Sequence, residues 1–184
     1  GLLLATNTGL VAHDLNSKKD EILFQPGTTT FEYSDDTILD FIELDNGAFW
    51  LGSRGDGAYF WNSKDTGFLN IYNRTGHNKL SHNFVFGLHG TDDALWIGTQ
   101  NGLNRYDWRD GKIEKFLVKQ DKSAVESDST IYGIYPDESG RYLWLLSAVS
   151  LSKFDTLTHQ AIPLTSKHTP SFFEQYFHSV VQTK

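Results

Sequence analysis

One pattern returns four times along this chain at nearly constant spacing, and a fold reading must begin from that repeat. Its clearest copy, residues 95–107, reads LWIGTQNGLNRYD. Equivalent places are held by Ala5-Thr6-Asn7-Thr8-Gly9-Leu10, Gly52-Ser53-Arg54-Gly55-Asp56-Gly57, Gly98-Thr99-Gln100-Asn101-Gly102-Leu103 and Leu146-Ser147-Ala148-Val149-Ser150-Leu151, the second with one extra residue. Just upstream, Leu3, Trp50, Trp96 and Trp144 align at intervals of 47, 46 and 48 residues. A second apolar run, starting at Ile38, Phe84, Ile131 and Phe177, keeps the same beat at intervals of 46, 47 and 46. Each core is followed by an aromatic residue or His and then Asp or Asn (His13-Asp14, Trp61-Asn62, Tyr106-Asp107, Phe154-Asp155), a polar turn and a last short apolar stretch.

Each unit therefore holds four short strands, because its apolar residues alternate or cluster in runs of four to six bounded by Gly, Asp and Asn, a strand spacing and not a helical one. Four strands at this period predict an all-β chain of β-propeller blades, each of four antiparallel strands called A to D from the axis outward. The units run over about 1–36, 37–83, 84–130 and 131–176, with a final strand at 177–181, and the whole is one propeller segment. The first unit lacks its A strand. Trp50, Trp96 and Trp144 recur inside the repeat and are expected to pack between blades; Gly52 and Gly98 are expected to let neighbouring sheets approach closely near the axis. Trp61 and Trp108, near the ends of C strands, fit an interface or a ligand equally well. Asp45-Asn46-Gly47 reads as a hairpin turn.

The chain has 184 residues, 39% hydrophobic and 14% aromatic, a composition that builds a packed core and not a disordered tail. A net charge of −7 excludes a large electrostatic contribution to nucleic-acid binding, which draws on a basic face. The absence of Cys removes thiol chemistry and Cys-based metal sites. The longest strongly apolar run, 142–149, falls far short of the roughly 20 residues of a spanning helix. With no Met even at the first position, the chain is expected to start after processing or to be cut from something longer.

LWIGTQNGLNRYD, followed by DGKIEKF at 110–116, resembles the two-component regulator propeller repeat. The likeness covers nearly the whole chain and is weakest in the fourth unit, where Leu146 and Ser150 stand in place of the two glycines. The resemblance implies the extracytoplasmic sensor region of a bacterial hybrid histidine kinase or diguanylate cyclase. In that family the repeats form seven-bladed propellers and recognise small extracellular ligands, in several members oligosaccharides. It further implies a periplasmic or extracytoplasmic location within a membrane-anchored receptor, with no membrane contact by this segment. Four units leave apolar blade faces to be covered by further blades of a longer chain, by a homodimer, or by self-closure through the strand at 177–181.

No GxSxG elbow, HExxH, P-loop or EF-hand loop is present, and Gly55-Asp56-Gly57 lacks the third glycine of a dinucleotide fingerprint. His77 and His82 are read as solvated loop histidines before a metal pair, and Asp35-Asp36 as turn residues before paired catalytic carboxylates. No cofactor, metal or catalytic residue is therefore assigned, and the segment is read as non-enzymatic. Candidate ligand-binding residues come from the B–C and D–A loops, which line a propeller's mouth: Arg54, Asp56, His77, His82, Asn83, Gln100, Asn101 and Ser129. They offer hydrogen bonds and a cation to a small polar ligand. The alternatives are a propeller-type lyase or hydrolase using a crossing-loop His or carboxylate as base, and a protein-interaction scaffold.

Overall fold

The computed structural model describes residues 1–25, 37–62, 68–73, 78–116, 129–147 and 150–164. Those residues form fifteen strands in four antiparallel sheets, with no α-helix among them. Blade 1 has three strands, β1 (Leu2–Thr6), β2 (Gly9–His13) and β3 (Asp20–Phe24). Blade 2 has β4 (Ile38–Glu43), β5 (Ala48–Ser53), β6 (Ala58–Asn62) and β7 (Phe68–Ile71). Blade 3 has β8 (Val85–Gly90), β9 (Ala94–Thr99), β10 (Gly102–Asp107) and β11 (Ile113–Phe116). Blade 4 has β12 (Gly133–Pro136), β13 (Tyr142–Leu146), β14 (Leu151–Asp155) and β15 (Gln160–Pro163). Each sheet is a meander in chain order, as the repeat requires. The strand expected at 177–181 lies outside the described residues.

The blades stack through their A strands, β4 against β8 and β8 against β12, while β1 of the first blade meets β4. Three cores fill the gaps between blades. Leu10, Phe24, Ile38, Leu51 and Tyr59 pack between blades 1 and 2. Trp50, Leu80, Val85, Leu95 and Ile97 pack between blades 2 and 3, and Trp96, Leu103, Ile131, Leu145 and Phe154 between blades 3 and 4. The repeated tryptophan thus has one job: Trp50 and Trp96, each 2% exposed, close the gap to the following blade. Central strands β5 and β9 are buried along their whole length, which explains why LWIG is apolar on both faces.

Close packing near the axis sets the glycine of that motif. A Cβ on Gly98 would stand 2.8 Å from Ile131 O and 2.9 Å from Ile131 Cγ2 of the next blade. Only a residue without a side chain lets β9 and the start of blade 4 come together there.

Strand boundaries follow the expectation, with small shifts that have local causes. β15 begins at Gln160, because His159 takes φ 57 and its amide closes the turn on Asp155 O at 2.8 Å. Blade 4's A strand starts at Gly133 although Ile131 was expected to open it; Ile131 N is drawn instead to Thr99 O of blade 3 at 2.9 Å. The 45–47 segment is the hairpin turn between β4 and β5: Gly47 takes φ 76° and its amide donates to Leu44 O at 2.8 Å.

Candidate functional site

The register of the A and B strands decides where the loops gather. Ile38 pairs with Ser53, Val85 with Thr99 and Gly133 with Leu146, so every B–C turn lies at the end of the sheet where the A strand begins. At that end the turn of one blade is bonded to the A strand of the next. Arg54 bridges Phe84, while its amide donates to Thr37 O at 3.0 Å. Gln100 N donates to Phe84 O at 3.1 Å, and Gln100 O accepts from Thr130 Oγ1 at 3.2 Å and from Ser129 Oγ at 3.4 Å. Arg54, Gln100, Asn101 and Ser129 therefore form one belt of turns, with Arg54, Gln100 and Asn101 exposed.

The other candidates sit behind that belt. Asp56 is only 3% exposed: its amide donates to Ser53 Oγ at 3.0 Å, and Ser53 Oγ donates to Gly57 O at 2.9 Å. Asn83 O accepts from Gly57 N at 2.9 Å, and Asn83 Oδ1 accepts from Asn73 N, which ties the D–A loop to the turn. His82 Nδ1 accepts from Phe84 N at 3.0 Å, and the imidazole meets the Phe84 ring edge-on at 5.2 Å. Burial holds the His82 pKa below its ordinary value, so the ring is neutral at pH 7 and its acceptor role is consistent with that state. Asp56 and Asn83 thus brace the loops, and His82 does so through one nitrogen. His77, Asp35 and Asp36 lie outside the described residues.

The structure adds groups that residue-type reasoning passed over. Rings continue from His82 and Phe84 through Phe86 at 6.5 Å to Tyr132 at 5.0 Å, and Tyr132 is 44% exposed. In sequence Phe84 and Phe86 merge into an apolar run; the alternation with Val85, which is fully buried, is the signal that separates the core-facing residue from its neighbours. Asp40, opposite Gly52, occupies one blade earlier the place of Gly87, which lies opposite Gly98. Its carboxylate accepts from Phe41 N at 2.9 Å and from Leu88 N of blade 3 at 2.7 Å, while burial pushes its pKa up against those two bonds.

Trp61 and Trp108 pack between blades. Trp61 stacks on Phe49 at 5.6 Å and meets Phe24 of blade 1 at 6.2 Å. Trp108 lies 5.9 Å from Trp50 and donates Nε1–H to Thr91 O at 2.8 Å. Among the described residues no group of three or more His, Asp or Glu side chains is placed to hold a metal ion.

No protein-family model matches the chain, and no curated protein matches it. Solved structures do. The extracellular domain of BT4673 from B. thetaiotaomicron, described as a hybrid two-component system, aligns with 96% of this chain and 21% of its own length at 21% identity, TM-score 0.66. The extracellular domain of BT3049 from the same organism, described likewise, aligns with 87% of this chain and 28% of its own at 14% identity, TM-score 0.54. PorZ, a surface component of the type-IX secretion system of Porphyromonas gingivalis, aligns with 93% of this chain and 26% of its own at 14% identity, TM-score 0.62. At these identities the likeness shows the fold, a run of propeller blades, and the chain spans about a fifth to a quarter of the solved chains.

Proposed function

We propose that the chain is a ligand-sensing propeller segment of an extracytoplasmic bacterial receptor of two-component or cyclic-di-GMP signalling type. It takes a small polar ligand, such as an oligosaccharide, at the A-strand end of the blades. The observation that carries this reading is the belt of B–C turns in which Arg54, Gln100 and Ser129 are held by bonds from blade to blade. A ligand touching two of these turns would act on the angle between blades, which is the motion a sensor needs. The sensor domains that share the fold support the signalling context, and the segment is read as binding without turnover. PorZ shares the same fold in a surface component, which keeps a protein-interaction scaffold as the second reading.

Isothermal titration with neutral oligosaccharides tests the proposal. Saturable binding without product formation, weakened roughly tenfold by Arg54→Ala or Gln100→Ala with an unchanged melting temperature, is expected. Turnover abolished by His82→Ala would replace the reading with the enzyme alternative. Binding of a protein partner but of no saccharide would replace it with a scaffold.

A further inference from the structure

We infer that Phe86 and Tyr132 form a stacking platform for a pyranose ring, so that the ligand of the belt of turns is a saccharide held across blades 3 and 4. The inference rests on the proposed belt site and names its ligand chemistry and two further residues that select it. Register places the two at one repeat position. Asp40 lies opposite Gly52, Gly87 opposite Gly98 and Gly133 opposite Leu146, so the residue before each, Leu39, Phe86 or Tyr132, is equivalent from blade to blade. In blades 3 and 4 the residues on either side, Val85 and Gly87, and Ile131 and Gly133, are buried, whereas Phe86 is half-buried and Tyr132 is 44% exposed. The position is therefore the outward member of the alternation, where a strand facing water ordinarily carries polar side chains. Here three successive blades place an apolar residue, and the two that meet are aromatic.

A glycine brings those two rings together. A Cβ on Gly87 would stand 3.2 Å from Gly133 Cα and 3.3 Å from Tyr132 O, so a side chain there would press the start of blade 4 away from β8. With glycine, the Phe86 and Tyr132 centroids lie 5.0 Å apart at 57°, and Phe84 continues the row 6.5 Å from Phe86 at 79°. The result is an angled aromatic wall whose tyrosine end is open to water.

Polar groups of the belt flank this wall on both strands. Phe84 O, two residues before Phe86, accepts from Gln100 N at 3.1 Å, and Thr130 Oγ1, two residues before Tyr132, donates to Gln100 O at 3.2 Å. Two residues of a strand span about 7 Å, within reach of one sugar and its hydroxyls. A pyranose stacks its C–H face on an aromatic ring while its edge hydroxyls bond to amides; a wholly apolar ligand or a small ion would use only one half of such a surface. Because Phe86 and Tyr132 belong to different blades, a stacked sugar bears on the same contact between blades that Gln100 makes with Ser129 and Thr130.

The test titrates the 184-residue chain with cellotetraose, xylotetraose and mannotetraose, read by calorimetry and by proton NMR of the sugar. The expected result is binding of at least one probe, with its C–H protons moved upfield by the ring currents of the platform. Phe86→Leu installs the residue type that blade 2 carries at this position, and Tyr132→Leu removes an exposed ring. Each should weaken binding roughly tenfold and diminish the upfield shift at an unchanged melting temperature. Tyr132→Phe keeps the ring and should bind as the wild type does. Arg54→Ala should weaken binding but leave the upfield shift of the saturated complex in place. The platform alone is overturned if a probe binds with dependence on Arg54 while Phe86→Leu and Tyr132→Leu bind unchanged and the sugar protons stay unshifted. If no probe binds, the belt reading fails and the platform with it. Should Phe86→Leu lower the melting temperature, Tyr132→Leu and the wild-type ring-current shift decide between these results.

Discussion

Asn104 shows how much one buried polar residue carries. It is fully buried in β10, where its Oδ1 accepts from Ser81 N at 2.8 Å and its Nδ2 donates to Ser81 Oγ at 2.8 Å and Ile97 O at 3.3 Å. Ser81 in turn shares a hydrogen bond with Thr99 Oγ1 at 2.8 Å, so the crossing loop is tied to the sheet by a satisfied polar network. Asn104→Ala takes the acceptor from Ser81 N and the amide donor from Ser81 Oγ, and is expected to cost about 2–3 kcal/mol in urea unfolding. The sequence showed an Asn inside a strand but not its partner, 23 positions away. The Asp at the end of the C strand in blades 3 and 4 has a reason as well. Asp155 Oδ1 accepts from Leu157 N at 2.9 Å, and Arg141 Nη2 donates to Asp155 Oδ2 at 2.7 Å. The Arg141 hydrogen bond, foremost, pulls the carboxyl pKa from 3.8 down to about 2. A depressed folded-state pKa means the stabilisation is complete above pH 3.8 and fades as pH falls toward 2. Carboxyl NMR titration should place the midpoint near 2 and move it back toward 3.8 in Arg141→Ala.

At the scale of elements, the C–D turn is a repeated device with an unequal fit. The turn closes on Asp14, Asp107 and Asp155, and the residue four positions later takes positive φ: Lys18 at 55°, Gly111 at 67° and His159 at 57°. Of these three described turns, only that of blade 3 places glycine there. The exposed Lys18 carries the left-handed cost without any packing to offset it, so Lys18→Gly should stabilise the chain by about 0.5–1 kcal/mol, read as a raised melting temperature. His159 is different, since its ring lies 4.7 Å from Phe116 and a glycine there would lose that contact. The interblade tryptophans give a second comparison. Trp96→Ala empties the core between blades 3 and 4 and should cost about 3–5 kcal/mol. Trp144 faces Lys153, whose Nζ lies 5.3 Å from its ring, and Trp144→Ala should cost less, about 1 kcal/mol. Strands and blade order were legible because apolar alternation and turn residues recur four times. Which tryptophan packs against which neighbour was partly legible: Trp50 and Trp96 obey the repeat, whereas for Trp61 and Trp108 only the stacked blades show the half-buried rings packed against Phe24 and Trp50 of the neighbouring blade.

For the molecule as a whole, the functional residues were harder to read than the fold because their roles depend on contacts between repeats. Residue type suggested Arg54, Asp56, Asn83 and Gln100 alike; the blade stacking leaves Arg54 and Gln100 at the surface and turns Asp56 inward. It also brings Phe86 and Tyr132, 46 positions apart, into ring contact at 5.0 Å at the same end. Leu2, Leu4 and Ile22 stay exposed on the outer face of blade 1, the same kind of face that blades 2 and 3 bury. The central claim, that a polar ligand is held by the turns of successive blades, is tested most directly by amide chemical-shift mapping with a binding oligosaccharide. The expected result is a set of perturbations centred on Arg54, Gln100, Asn101 and Ser129, saturating together. Shifts confined to the C–D turns at Asp14, Asp107 and Asp155, with the B–C turns unmoved, would contradict it.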